Sequence, residues 1–208
     1  RTGVGKTDLL RALRDRGSNV LDLEGLANHR GSSFGGLGQP PQPSSEHYEN
    51  RIAAMLWRAR ADEPIWLEAE SAQVGRCRIP KALWQQMQQA DVVELQRADS
   101  ERVRRLVEVY GPQPQDALRS ATERIARRLG PQRTALAVAA IEAGDMATAC
   151  AQMLDYYDRC YDHELQRQGL FAQEELGQMS AAEAADHLIS RERIHQMAET
   201  SSLGSSFP

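Results

Sequence analysis

Lysine is almost missing from this chain: of its 25 basic residues only Lys6 and Lys81 are lysine, and the rest are arginine. A lysine kept against so strong a bias marks a place where a compact point charge serves better than a planar fork. Cysteine is scarce as well. Cys77, Cys150 and Cys160 are widely spaced and form no C-x-x-C pair, which argues against both a disulfide framework and a zinc site. No apolar run approaches the roughly 20 residues that span a bilayer, and no secretory leader is visible. A cytoplasmic protein without membrane contact is therefore expected. Internal repeats are also lacking, and 208 residues suit one α/β domain with a helical appendage.

What is present begins at the first residue. Arg1-Thr2-Gly3-Val4-Gly5-Lys6-Thr7 matches G-x-x-x-x-G-K-[ST] from its second position onward. The chain thus reads as a fragment that starts inside a phosphate-binding loop, its preceding strand lying upstream of Arg1. That strand would be central in the sheet, so the fragment is expected to fold less well without it. In such a loop the amides of Gly3, Val4 and Gly5 wrap a diphosphate, Lys6 reaches its terminal oxygens, and the Thr7 hydroxyl is placed to ligate a metal ion such as Mg2+. A glycine turn before an ordinary helix is the plainer alternative. The context favours the loop: Leu9, Leu10 and Leu13 share one helical face, Gly17 can stop that helix, and Val20–Leu23 reads as a short buried strand.

Downstream, Glu24 to Ser45 is rich in glycine and proline and reads as a long functional loop. A helix follows with Ile52, Met55 and Leu56 on one face, then a strand at Pro64–Leu67, a helix from Pro80 to about Ala90, and a strand at Val92–Leu95. Beyond it the chain reads as helical, with Asp145 capping a helix that reaches about Gln168 and a Ser180/Glu183 capping box starting the last. The expected fold is a P-loop-like α/β class with a mainly parallel sheet and a helical C-terminal region. Its divisions are a core over 1–96, a helical part over 97–168, a strand and helix over 169–199, and a disordered tail over 200–208.

Charge is uneven. From Arg97 to Arg133 nine arginines face five acids, whereas from Glu142 to Glu199 four arginines face twelve. Solvated helical surfaces are one explanation; beside a phosphate loop, Arg102, Arg104, Arg105, Arg124, Arg127, Arg128 and Arg133 become candidates for a nucleic-acid face. Asp22 and Glu24 end the second strand, where open α/β sheets bind ligands. His29, Arg30, Ser32 and Ser33 occupy the loop, Arg30 offering a fork for a second phosphate. Glu68 stands where a Walker B acid would hold a metal ion or its water, and Glu70 follows two residues on. Capping acids and a solvated arginine are the structural alternatives. Tyr156, Tyr157 and Tyr161, at helical spacing, are either core or a base-stacking face.

Asp22-Leu23-Glu24-Gly25-Leu26-Ala27-Asn28-His29-Arg30-Gly31-Ser32-Ser33-Phe34-Gly35 after the loop closely resembles the P-loop domain of bacterial tRNA 2-selenouridine synthases. Trp66–Ser71, Ile79-Pro80, Arg127–Gly130 with Gln132-Arg133, and Tyr156-Tyr157-Asp158 with Tyr161 extend the match to about Gln168. Ala69 departs from it, standing where that family commonly has an acid, and Gly169–Ala172 is a weak version of the expected last strand. The resemblance implies a two-step change at the tRNA wobble uridine, in which 2-thiouridine is S-geranylated from geranyl diphosphate and selenophosphate then replaces the geranylthio group. A selenophosphate-supplying enzyme is an implied partner. The selenium step is implied to need a rhodanese-like domain with a reactive cysteine, which this chain lacks. The phosphate loop would hold the donor's diphosphate, with Leu26, Phe34 and Leu37 as a trough for its tail. The competing readings are a P-loop small-molecule kinase or ATPase, whose lid arginines Arg76-Arg78 or Arg102-Arg104-Arg105 would imitate, and a non-catalytic tRNA-holding module.

Overall fold

The structure, a computed structural model, describes residues 1–168 and 172–204. Gly5, left-handed at φ 91°, opens α1 (Lys6–Asp15), and Gly17 at φ 86° turns the chain out of it. Only a residue without Cβ takes such angles at little cost. The apolar face of α1, Leu9, Leu10 and Leu13, packs with Val4, Leu95, Leu176, Ala185 and Leu188. Strand β1 (Asn19–Leu21) pairs in parallel with β2 (Ile65–Leu67), registering Val20 with Trp66.

The expected strand at Val20–Leu23 stops early. Asp22 accepts a hydrogen bond from the Gly25 N–H and caps α2 (Leu23–Ala27), so the first residues of the expected loop are helical. The Ser44 hydroxyl caps α3 (Ser45–Arg58). A hairpin of β3 (Gln73–Val74) and β4 (Cys77–Arg78) follows; two-residue strands carry no period to read. Pro80 caps α4 (Lys81–Met87), which ends short of Ala90. Tyr48, Ile52, Val74, Cys77 and Ile79 share a second core with Leu21 and Leu23.

β5 (Val93–Gln96) leads into α5 (Asp99–Tyr110), α6 (Gln115–Arg124), α7 (Ala126–Leu129), α8 (Pro131–Glu142) and α9 (Met146–Gln168). Asp145 accepts from the Thr148 N–H at the start of α9, as its capping role requires. Phe34, Leu118, Ile125, Leu129, Ile141 and Met153 form the third core. β6 (Ala172–Glu175) pairs in parallel with β5; it begins where the weak Gly169–Ala172 stretch ends, residues 169–171 lying outside the described residues. The Ser180/Glu183 box closes reciprocally, at 2.8 and 3.2 Å, and starts α10 (Ala181–Gly204). The tail expected to be disordered from Thr200 is helical as far as Gly204, since extending a formed helix costs far less than nucleating one; 205–208 lie outside the described residues.

The class is mixed α/β with short parallel pairs, but the expected extended parallel sheet is not formed among the described residues: β1–β2, β3–β4 and β5–β6 are three separate pairs. An apolar slot of about 200 Å3 separates β2 from β5, walled by Leu9, Leu10, Leu13, Trp66, Val93 and Leu95.

Candidate phosphate-loop site

Gly3 (φ 77°) and Gly5 (φ 91°) give the loop its left-handed bends. Both are also crowded. A Cβ on Gly3 would stand 2.9 Å from the Arg102 carbonyl oxygen, and one on Gly5 would stand 2.9 Å from Arg105 Nη1. Val4 is buried, while Lys6 and Thr7 are half-buried. Lys6 Nζ donates to the Arg1 carbonyl at 3.1 Å and sits 5.3 Å from the centre of the Tyr161 ring. Burial works against its charge, but Tyr161, Glu24, Glu70 and Glu68 outweigh it and hold the ammonium above its usual range. The cradle is a cation ringed by acids.

Those acids arrive from two elements. Glu68 follows β2 and is buried; its Oε2 accepts from the Leu23 N–H at 3.1 Å, while Oε1 has no hydrogen-bond partner. Burial, with Asp22 and Glu24 nearby, pushes its carboxyl up to about 9. A group so raised is protonated at neutral pH, and the stability it contributes, complete only below the ordinary carboxyl range, is lost progressively as pH rises from there to about 9. Glu24, in α2, is also raised by burial, against the pull of Lys6 and of a hydrogen bond with Glu70. Among the described residues no group of three or more His, Cys, Asp or Glu is disposed to hold a metal ion. Asp22 faces Gly25 as a helix cap and does not end a strand.

The loop after α2 folds over this acid pair. A Cβ on Gly31 would lie 3.0 Å from carboxylate oxygens of both Glu24 and Glu70, so only glycine lets the flap pass. Arg30 Nη1 donates to the Leu37 carbonyl at 3.1 Å, which commits part of its fork to the flap itself. The Ser32 hydroxyl accepts from the Phe34 N–H, and the Ser33 carbonyl accepts from Arg124 Nη2 at 2.9 Å. Burial lowers the pKa of His29, favouring its neutral ring. The three residues expected as one trough separate: Leu26 packs on the core of Leu23 and Tyr48, whereas Phe34 and Leu37 pack on the helical part.

The arginines divide sharply. Arg102 is not a tRNA contact: its side chain is 3% exposed, forks Asp158 at 2.9 and 2.5 Å, and donates through Nε to the Thr2 carbonyl at 2.8 Å. Arg97, likewise buried, donates to the Val4, Gly177 and Met179 carbonyls. Arg105 lies over Gly5 and near Asp8. Arg104 is exposed but engaged with Glu101 and Glu108, and Arg133 pairs with Asp155. Arg124, Arg127 and Arg128 are exposed around the α6–α7 turn. Tyr156 is core, packed edge-on against Tyr157 at 5.0 Å. The bracing by Arg97, Arg102 and Arg105 and the placing of Tyr161 on Lys6 had no signal in sequence, because each joins elements some 90 or more residues apart, as the span from Arg102 to Thr2 shows.

The family model of the tRNA 2-selenouridine synthase AAA domain matches residues 1–192. The chain belongs to that family. It is 38% identical to a tRNA 2-selenouridine synthase of Marinobacter nauticus over 201 residues, 81% of this chain and 53% of the relative. A synthase of the same name from Bordetella petrii is 35% identical over 80% of this chain and 51% of its own length. One from Shewanella denitrificans is 46% identical over 53% of this chain. The chain spans about half the length of the first two relatives. No solved structure matches. Membership of the AAA-domain family supports reading Gly3–Thr7 as a phosphate loop rather than a glycine turn before an ordinary helix.

Proposed function

We propose that this chain is the donor- and tRNA-binding part of a transferase that converts the wobble 2-thiouridine of tRNA to 2-selenouridine through an S-geranylated intermediate. The names of the relatives support the tRNA and selenouridine parts of this reading. The observation that carries the donor is an apolar cavity beside the phosphate loop. Phe34, Leu106, Tyr110, Leu118, Met153 and Tyr157 line it, and Thr2 and Ser32 stand at its polar rim. An amphiphilic diphosphate matches that pairing of cradle and apolar wall. The cavity holds only about 40 Å3, so a ten-carbon tail enters by displacing the flap that carries Phe34.

In this reading the sulfur of 2-thiouridine attacks C1 of geranyl diphosphate. The C1–O bond breaks, its electron pair leaves with the diphosphate, and the N3 proton of the base is lost. Lys6 and the loop amides stabilise the charge that develops on the diphosphate, the site at which preorganised donors act most strongly. The Glu24 and Glu70 carboxylates, which lie together against Gly31, are the groups of this site that would receive that proton. In this reading the replacement of the geranylthio group by selenophosphate belongs to a rhodanese-like domain; of the cysteines here, Cys77 and Cys150 are buried with thiols raised by burial, and Cys160 is exposed.

Calorimetry on the full-length protein tests the donor assignment. Geranyl diphosphate is expected to bind more tightly than ATP. Tighter binding of ATP would overturn it in favour of a kinase or ATPase.

A further inference from the structure

The flap has two faces. On one lies the apolar cavity just described; on the other lies an open polar cleft of about 520 Å3 between the flap, the β3–β4 hairpin and α6. We infer that this cleft seats the base and ribose of the acceptor uridine, an inference that rests on the tRNA reading above and adds the place of the acceptor.

Four observations support it. The volume falls within the about 300–1,000 Å3 of small-ligand sites. Its polar wall, from His29, Ser32, Ser33, Ser71, Gln73 and Arg124, supplies both donors and acceptors, which a base edge and ribose hydroxyls require and a lipid or apolar peptide does not. Gly31, Gly36, Gly75 and Leu37 complete the wall, so part of it is backbone that carries no side chain. Arg124, exposed and anchored through one nitrogen to the Ser33 carbonyl, leads to exposed Arg127 and Arg128 one turn on, a track for the phosphates that flank a single nucleotide.

The cleft also lies where the reaction needs it. Ser32 lines both the cleft and the apolar cavity, and Gly31 beside it touches the Glu24–Glu70 pair. The cleft and the apolar cavity therefore share a wall at Ser32, and displacement of the flap by the donor tail opens one to the other, with the acids at its edge.

The test uses the full-length protein and a tRNA carrying 4-thiouridine at the wobble position, irradiated in the near ultraviolet. Cross-links are expected in residues 29–37 or 71–76. Gln73→Trp, which places an indole in the cleft from an exposed position, is expected to weaken tRNA binding about tenfold, the scale of one good base contact. Geranyl diphosphate binding should be unchanged. Cross-links found only elsewhere, or a Gln73→Trp protein that binds tRNA normally, would overturn the cleft and leave the tRNA reading standing. A full-length protein that binds no tRNA would overturn both. The cross-link map of the unaltered protein decides the matter even if the variant fails to fold.

Discussion

At the scale of single residues, the same side-chain type does opposite work according to burial. Arg102 joins α5, α9 and the phosphate loop through a fork on Asp158 and a bond to the Thr2 carbonyl, with its side chain 3% exposed. Arg104, two positions on, lies on the surface between Glu101 and Glu108. Removing one member of a buried pair leaves the other charge unmatched, so Arg102→Ala should cost about 3 kcal/mol, the lower end of that class because Asp158 keeps some exposure. Arg104→Ala should cost under about 1 kcal/mol. Denaturant midpoints of the two variants check this, and equal midpoints would contradict the assignment. Lys6, Gly3 and Gly5 were legible in sequence because a phosphate loop specifies residue type and spacing locally. Arg102 was not, since nothing in an arginine-rich helix says which arginine faces inward.

At the scale of elements, capping chemistry was the most legible signal: Asp145 and the Ser180/Glu183 box both start helices as their residue types require. Asp22 carried the same signal, but the apolar Val20-Leu21 and Leu23 on either side read as one strand and hid the cap. The β3–β4 hairpin was out of reach for a different reason, as its strands are two residues long and pairing rather than pattern defines them, whereas β6 falls within the strand and helix expected over 169–199. β2 and β5 each pair on one side only among the described residues, and the apolar slot between them faces the Leu9–Leu13 side of α1. A strand leading into the phosphate loop would fit that slot, as strand, loop and helix form one unit in P-loop folds. With such a strand supplied ahead of Arg1, amide hydrogen exchange at Trp66, Leu67, Val93 and Leu95 should slow markedly relative to the 208-residue chain. Equally fast exchange in both would show that the slot is not a strand position.

At the scale of the whole molecule, the phosphate loop, the acid pair, the flap and the helical part converge although they lie far apart in sequence. The flap is the common wall: Phe34 turns to the helical core, Gly31 to the acids, and Ser33 to Arg124. The central claim is that Lys6 holds the leaving diphosphate of a prenyl donor. Prenyl transfer to 2-thiouridine tRNA by full-length protein carrying Lys6→Ala tests it most directly, with melting temperature and tRNA affinity measured alongside. The account predicts a loss of about 100-fold or more in transfer rate, the scale for removing one charge-stabilising donor, with tRNA affinity unchanged. Transfer near the wild-type rate in a folded variant would contradict it.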